Sequence, residues 1–316
     1  MMFKEKVYPM DKGKSGRFVK GIIPWNKGVG LIKKCETCEG KFYITLSRNR
    51  DKRGRFCGIK CRRKFFLKKS KEYSLNEDMA ELIGVIIGDG CIARNGLKRK
   101  DHTIFISGNP IEDAPYMKNY LIKLVKKCLG KKPRLFLGKN GALIVAFQNK
   151  AFTLFLKSLG IKERKTKVVR IPKEIRNNKN LLFSCIKGIA DTDFTLIFTK
   201  KHTNKNFYPR ITGGFASFRL VKDLENALRK SGFTLNTRYK IKRIDKRGFN
   251  SITNQINLEG PNNLKKWLNL IGFSNQRILT RYKVWKMYGY LNPKTNLLQR
   301  LQLIRGGGGL KWEKQQ

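Results

Sequence analysis

Two aspartates, Asp89 and Asp193, each close an apolar run, ELIGVIIGDGCI over 81–92 and CIKGIADTDFTLIF over 185–198. A carboxylate at the end of a helix meets the negative pole of the helix dipole, at a cost of about 0.3–1 kcal/mol. Two such carboxylates brought together also repel, so that one holds its proton more tightly than usual. Neither cost serves stability. Both vanish if a divalent cation binds between them, and hard carboxylate oxygens suit Mg²⁺. Four thiols suggest a second centre. Cys35-Glu-Thr-Cys38 and Cys57-Gly-Ile-Lys-Cys61 form a C-x2-C and a C-x3-C knuckle separated by eighteen residues. That spacing can set four thiolates tetrahedrally around Zn²⁺. All four positions would then be filled by protein, which makes the ion structural; incidental thiols or a redox pair are the alternative. Cys91, Cys128 and Cys185 sit singly in apolar segments and read as small core residues.

The elements that must position the aspartates are helices. Gly84 and Gly88 lie four residues apart on one helical face, and Gly188 and Thr192 hold the matching places before Asp193. Small residues at this spacing let two backbones approach closely. If the two helices pack together, their C-terminal ends converge and the aspartates face each other. Asn76 is placed to cap the first helix, with Glu77 and Asp78 at its positive end.

After each of these helices the chain runs through the same succession of segments. In the first pass come the hairpin CIARNG to DHTIFISG, a helix over 111–130, the hairpin KPRLFLGKNGALIVAFQN and the helix KAFTLFLKSLG. In the second come FTLIFT to YPRITGGFASF, FRLVKDLENALRKSGF, TRYKIKRI to NQINLEG, and the helices NNLKKWLNLIGF and ILTRYKVWKMYG. Gly160 lies 71 residues past Asp89 and Gly272 lies 79 past Asp193, a difference the size of one longer hairpin. The pattern predicts an α+β chain with two αββαββα halves, 78–178 and 179–292, in one pseudo-twofold monomer. Around them stand a basic arm over 1–34, the four-cysteine module over 35–66, a basic linker over 61–79 and a flexible tail over 293–316. Within the module, KFYIT and RFC read as strands around a basic turn.

Lys plus Arg number 70 against 22 Asp plus Glu, a net charge of +48. Such an excess points to a polyanion, and its spread along the chain points to nucleic acid more than to an anionic membrane surface. No run is long enough to span a membrane and the N-terminus has no apolar signal core, so the expected location is intracellular. Candidate DNA contacts are Arg94, Lys98, Arg99, Lys100, Arg134 and Lys139 on the first half's hairpins. On the second half's they are Arg210, Arg238, Lys240, Lys242 and Arg243. Each alone is an ordinary solvated charge. Trp25, Asn26 and Lys27 lie in a glycine-punctuated basic loop, PWNKG, that suits a DNA groove.

LIGVIIGDG over 82–90 and IKGIADTDF over 186–194 resemble the paired motifs of the LAGLIDADG homing endonucleases, and the likeness extends over about 78–290. The PWNKG loop is similar to modular DNA-binding segments attached to homing nucleases, including HNH-type enzymes. HNH chemistry itself is absent from the motifs, since His102 and His202 are the chain's two histidines. The resemblance implies a saddle of two antiparallel sheets laid in the major groove of a long duplex target. It implies metal-dependent cutting of both strands across the minor groove, leaving staggered ends. It makes Asp89 and Asp193 the catalytic metal ligands, with Asp191 an inward or capping residue. The family uses basic residues near the metals; Lys167 and Arg281, each after a threonine beyond the third helix, are the candidates. Phe194 stands where the family has glycine and is expected to tilt the next strand. Such enzymes are encoded by mobile introns or stand free, and some relatives are maturases that bind intron RNA or DNA-binding regulators. Both acids are present here, which favours the nuclease; no splicing blocks flank the domain, so an intein is not expected.

Overall fold

The computed structural model describes residues 30–50, 54–93, 102–163, 165–244, 248 and 250–306. Trp25, Asn26, Lys27, Arg94, Lys98, Arg99 and Lys100 fall outside the described residues, as does the side chain of Arg243. The chain divides into two units, Met1–Lys69 and Ser70–Gln316.

In the first unit, β1 (Gly30–Lys34) pairs antiparallel with β2 (Lys41–Thr45), followed by α1 (Leu46–Arg50) and α2 (Ile59–Ser70). KFYIT is thus a strand, but its partner is the segment before the first knuckle. RFC forms no strand: the Glu36 amide donates to the Arg55 carbonyl instead, and the Phe56 ring packs at a tilt against Phe65 with ring centroids 5.1 Å apart. The stretch expected to be a linker is largely α2.

The second unit is two copies of one design. α3 (Glu77–Gly88) leads into β3 (Gly90–Ile92) and β4 (Thr103–Gly108). A short helix α4 (Ala114–Tyr116), a π-helical turn (Met117–Leu121) and α5 (Ile122–Leu129) come next as one continuous rod. Then come β5 (Arg134–Leu137), β6 (Leu143–Gln148), α6 (Lys150–Ser158) and α7 (Lys173–Arg176). The second copy runs α8 (Lys179–Asp193), β7 (Phe194–Thr199), β8 (Tyr208–Phe215), α9 (Phe218–Lys230), β9 (Asn236–Ile244), β10 (Asn250–Glu259) and α10 (Pro261–Leu270). The sheet orders, β3-β4-β6-β5 and β7-β8-β10-β9, are the same topology, antiparallel throughout. One face of each sheet joins the core, through Ile104, Ile106 and Val145 in one and Ile211, Ile256 and Leu258 in the other.

Two further helices complete the unit, α11 (Gln276–Tyr288) and α12 (Leu297–Arg305). The segment expected to be a flexible tail therefore contains a helix. Asn296 and Gln299 close a capping box at its start, and Arg300 on it is wholly buried.

Phe194 opens β7 fully buried against Phe215 and Trp267, at 5.4 and 5.5 Å between rings. The glycine it displaces reappears across the strand pair. Gly90 pairs with Ile106 in the first half, and Phe194 pairs with Gly213 in the second. A Cβ on Gly90 would stand 2.5 Å from the Ile86 Cα, and one on Gly213 3.0 Å from the Phe194 ring. Each pair thus keeps one small member.

Candidate functional site

The first site is where α3 and α8 cross. Asn76 caps α3 by accepting from the Met79 amide at 2.8 Å, and Asn178 caps α8 by accepting from Asn180 and Leu181. Both helices are thereby fixed at their starts, and their small residues let them meet. A Cβ on Gly84 would lie 2.1 Å from the Cys185 carbonyl oxygen, and one on Gly188 2.1 Å from that of Glu81. The contact is reciprocal, as a twofold crossing requires. At the far end a Cβ on Gly88 would stand 2.0 Å from the Thr192 hydroxyl and 2.4 Å from Asp193 Oδ2. Glycine at 88 therefore brings the Asp193 carboxylate beside the backbone that carries Asp89.

Asp89 is exposed and Asp193 half-buried, so a cation can reach both from solvent. Desolvation pushes the Asp193 carboxyl up to about 7, with the Asp89 charge adding to it; Lys165, the Thr192 hydroxyl and Arg277 oppose. Asp89 rises to about 6, by desolvation and then by Asp113, against Arg277 and Lys165. Burial is thus the chief cause of both shifts, with a neighbouring carboxylate second in each, and a bound cation would oppose both. The donor set fits a hard divalent ion: two carboxylates, with glycine keeping the space between them clear.

Behind each carboxylate stands a basic side chain. Lys165, buried at 8% exposure, donates its Nζ to the Ile87 carbonyl at 2.5 Å and the Gly88 carbonyl at 3.2 Å, the last turn of α3. Burial lowers its pKa while Asp193 and Asp89 raise it. Arg277 donates through Nη2 to the carbonyls of Thr192 and Asp191, at 3.2 and 3.4 Å, at the end of α8. Its Nε reaches Asp113 Oδ1 at 3.1 Å. A cation at a helix C-terminus answers the dipole and the carboxylate at once.

Lys167 is exposed at the end of a 3₁₀ turn whose first residue, Lys165, is the one brought to the acids. Arg281 lies one turn along α11 from Arg277 and donates to the Leu196 carbonyl at 3.5 Å. Burial brings its pKa down to about 10, with Arg300 adding to the effect. The sequence does contain a signal for the better pair: Lys165 and Arg277 each stand five residues past the matched glycines Gly160 and Gly272. Lys167 and Arg281 do not share an offset.

Asp191 is fully buried and points inward. Its Oδ1 accepts from the Ser274 and Asn275 amides at 2.8 and 2.9 Å, fixing the start of α11 and so Arg277. Desolvation pushes its carboxyl up to about 7.

The second site is in the first unit. The sulfurs of Cys35, Cys38, Cys57 and Cys61 lie within 4.8 Å of one another. Cys38 and Cys57 are 3.6 Å apart, and Cys57 and Cys61 3.5 Å. Four thiolates about 2.3 Å from one zinc ion stand about 3.8 Å from each other, so the cage is the right size. Neighbouring thiols push Cys57 up to about 12, Cys61 foremost. Cys35 comes down to about 6: burial raises it, but the backbone amides of Cys57, Cys38 and Thr37 outweigh that. Among the described residues no other group of three or more Cys, His, Asp or Glu side chains clusters in this way.

The basic candidates occupy the sheets. Arg134 and Lys139 are exposed on β5 and its turn. On β9, Thr237 and Tyr239 bond to Glu225 of α9, which turns Arg238 to the outer face; Lys240 and Lys242 are also exposed. Arg210 shares that outer face and pairs with Glu259 at 2.9 Å. No helix among the described residues is long and apolar enough to cross a membrane.

No protein-family model matches the chain. The replication factor C small subunit of Methanocaldococcus jannaschii is 27% identical over 210 residues, covering 66% of this chain and 10% of that protein. The match thus spans about a tenth of the relative's length. Among solved structures, variants of the homing endonuclease I-DmoI align at TM-score 0.43 and 17% identity, covering 62% of this chain and 88% of theirs. The homing endonuclease I-WcaI bound to its DNA recognition sequence aligns at 0.41 and 16%, covering 70% and 91%. The N-terminal LAGLIDADG domain of DUF199/WhiA aligns at 0.39 and 14%, covering 66% and 91%. The duplicated αββαββα design rests on the chain's own two sheets and the twofold crossing of α3 and α8.

Proposed function

We propose that this chain is a Mg²⁺-dependent, site-specific endonuclease that cuts both strands of duplex DNA, one strand beside each aspartate. The observation that carries this reading is the pair Asp89 and Asp193, side by side and solvent-accessible at the ends of two closely crossed helices. A fold serving stability alone would not crowd two carboxylates against two negative dipole ends.

Asp89 and Asp193 would hold the cation through carboxylate oxygens; the Thr192 hydroxyl, which donates to the Ile189 carbonyl at 2.9 Å, lies 3.3 Å from Asp193 Oδ2. When bound, the ion supplies charge that activates water and stabilises the departing 3′ oxygen. Lys165 and Arg277 fix the last carbonyls of α3 and α8, which sets where each carboxylate points. They also offset the repulsion between the acids. Both motifs lie in one chain, so a monomer suffices. The sheets' outer faces lie on the duplex; staggered ends are implied by the family resemblance, as is carriage by a mobile intron. The four-cysteine module holds one structural Zn²⁺ that supplies most of its folding energy.

Incubating the protein with Mg²⁺ and a randomised or genomic DNA library, then sequencing the ends, tests this. Recurrent paired breaks at one long motif are expected; a pool left intact in Mg²⁺ and Mn²⁺ rejects it. Native mass spectrometry should find one zinc, and Cys57→Ser should release it while leaving the melt of the second unit in place.

A further inference from the structure

The outer faces of the two sheets differ in chemistry at matched positions. Cys91 and Thr195 each lie two residues past their aspartate. Strand register then carries the match across each sheet. Cys91, Phe105, Ala146 and Arg134 form one row in the first half. Thr195, Thr212, Asn257 and Asn236 form its counterpart. One step along, Ser107, Ile144 and Phe136 answer to Gly214, Gln255 and Arg238. Phe105 therefore stands where the second half has Thr212, Ala146 for Asn257, Ile144 for Gln255 and Phe136 for Arg238. These residues alternate with the core residues named above, so they lie on the face away from the helices.

The polar row is organised. The Thr212 hydroxyl donates to Asn257 Oδ1 at 2.7 Å and accepts from Gln255 Nε2 at 3.1 Å. The apolar row is open, with Phe136 at 42% exposure and Phe105 and Ile144 half-buried. Exposed Arg134 and Lys139 lie beside it. A second copy of this chain would bring another +48 of charge to that rim and be repelled. Duplex DNA answers both features, because it offers phosphates to the basic rim and an apolar group in its major groove. That group is the thymine C5-methyl, which no other base carries.

Resting on the duplex-cutting reading, we propose that the two sheets read their half-sites by different chemistry. The sheet β3-β4-β6-β5 recognises thymine methyl groups through Phe105, Ile144 and Phe136. The sheet β7-β8-β10-β9 recognises hydrogen-bonding base edges through Thr212, Gln255 and Arg238, with buried Asn257 holding the Thr212 hydroxyl in place. The first half-site is then rich in thymine opposite the apolar row, and the second is rich in the adenine and guanine edges that Gln and Arg bond.

Duplexes bound by the full chain are selected from a randomised pool in Ca²⁺. Thymine in each arm of the winning site is then replaced by deoxyuridine, which removes only the methyl. The expected result is weaker binding for one arm, about fourfold per contacted methyl (about 0.8 kcal/mol), and no change for the other. Arg238→Ala identifies the unaffected arm as that of the second sheet. The triple variant Phe105→Thr, Ile144→Gln, Phe136→Arg, confirmed folded by its melt, should lose the methyl dependence. Equal indifference to deoxyuridine in both arms overturns the inference while leaving the nuclease reading intact. Concentration-dependent dimers dissolved by Phe136→Arg, with no methyl dependence, likewise overturn it and give the face to a second copy. A pool that never enriches sinks the site-reading itself, and this inference with it.

Discussion

The two corners of the site, at the ends of α3 and α8, are held differently. In the first, Lys165 reaches over α3 and bonds to two carbonyls, and among the described residues no acid pairs with it at hydrogen-bond distance. In the second, Arg277 forks over the end of α8 and is held from behind by Asp113. Asp113 neighbours Glu112, which accepts from buried Arg300 at 2.5 Å; Arg300 in turn bonds Thr280 and the Arg277 carbonyl on α11. The duplicated unit thus keeps a cation at the same offset in both halves but braces only the second with the added helix α12. A flexible single ammonium can cap a helix alone, whereas a guanidinium's five donors need several partners fixed in one geometry. Duplication conserved the position, and the surroundings chose the residue.

The largest expected effect breaks the symmetry at its centre. Asp89→Asn or Asp193→Asn should leave duplex binding nearly unchanged while cutting of the strand served by that corner falls about a thousandfold, several kcal/mol of metal-dependent stabilisation. Denaturing gels with each strand labelled separately give the measurement, and undiminished double-strand cutting in both variants would refute the assignment.

Next, Lys165→Met and Arg277→Met should each cost about a hundredfold, chiefly on one strand and on opposite strands, as expected for a positioned cation. Lys167→Met, at the neighbouring exposed lysine, should change cutting less than Lys165→Met does. Equal losses from the two lysine variants would restore Lys167 to the site.

Arg300→Met, paired with Glu112→Gln so that no carboxylate is left without its partner, should shift the ratio of the two nicking rates about tenfold, a change of about 1.4 kcal/mol on one barrier. The ratio is taken within one molecule and does not depend on the fraction folded. An unchanged ratio means that α12 supports the fold but not the corner.

The smallest effect is on stability against pH. Asp89 and Asp193 have folded-state values of about 6 and about 7, above the ordinary 3.8, so the fold favours their protonated forms. This contribution is full below about pH 4 and is lost as pH rises through the folded values. The metal-free protein should therefore melt a few degrees lower at pH 8 than at pH 5. Mg²⁺ should lessen that decline, and Asp193→Asn should remove part of it, because buried Asp191, also raised to about 7, keeps its own share. Calorimetry showing the same decline in Asp193→Asn would place its origin elsewhere.

Much of this arrangement is legible in the order of residues. Small residues four apart on two apolar helices announce a close crossing, because backbone approach depends on side-chain volume, which the sequence states outright. The basic partners are harder to read. Lys167 and Arg281 come after threonines that look alike in sequence, yet a 3₁₀ turn buries Lys165 and leaves Lys167 exposed. Burial depends on where the chain turns, and a short irregular turn has no period to read. RFC alternates like a strand but loses its partner to β1. The C-terminal segment looks like a tail because α12 makes its key bond to Glu112, 188 residues earlier.

The sequence by itself determined the duplication, the two aspartates at helix ends and the four-thiol spacing, all of which arise from local pattern and residue type. Only the tertiary structure decided which cations stand behind the acids, that one corner is braced by α12, and that the two sheets present unlike faces. Those outcomes depend on strand register and on contacts between distant residues, and no local interaction encodes either.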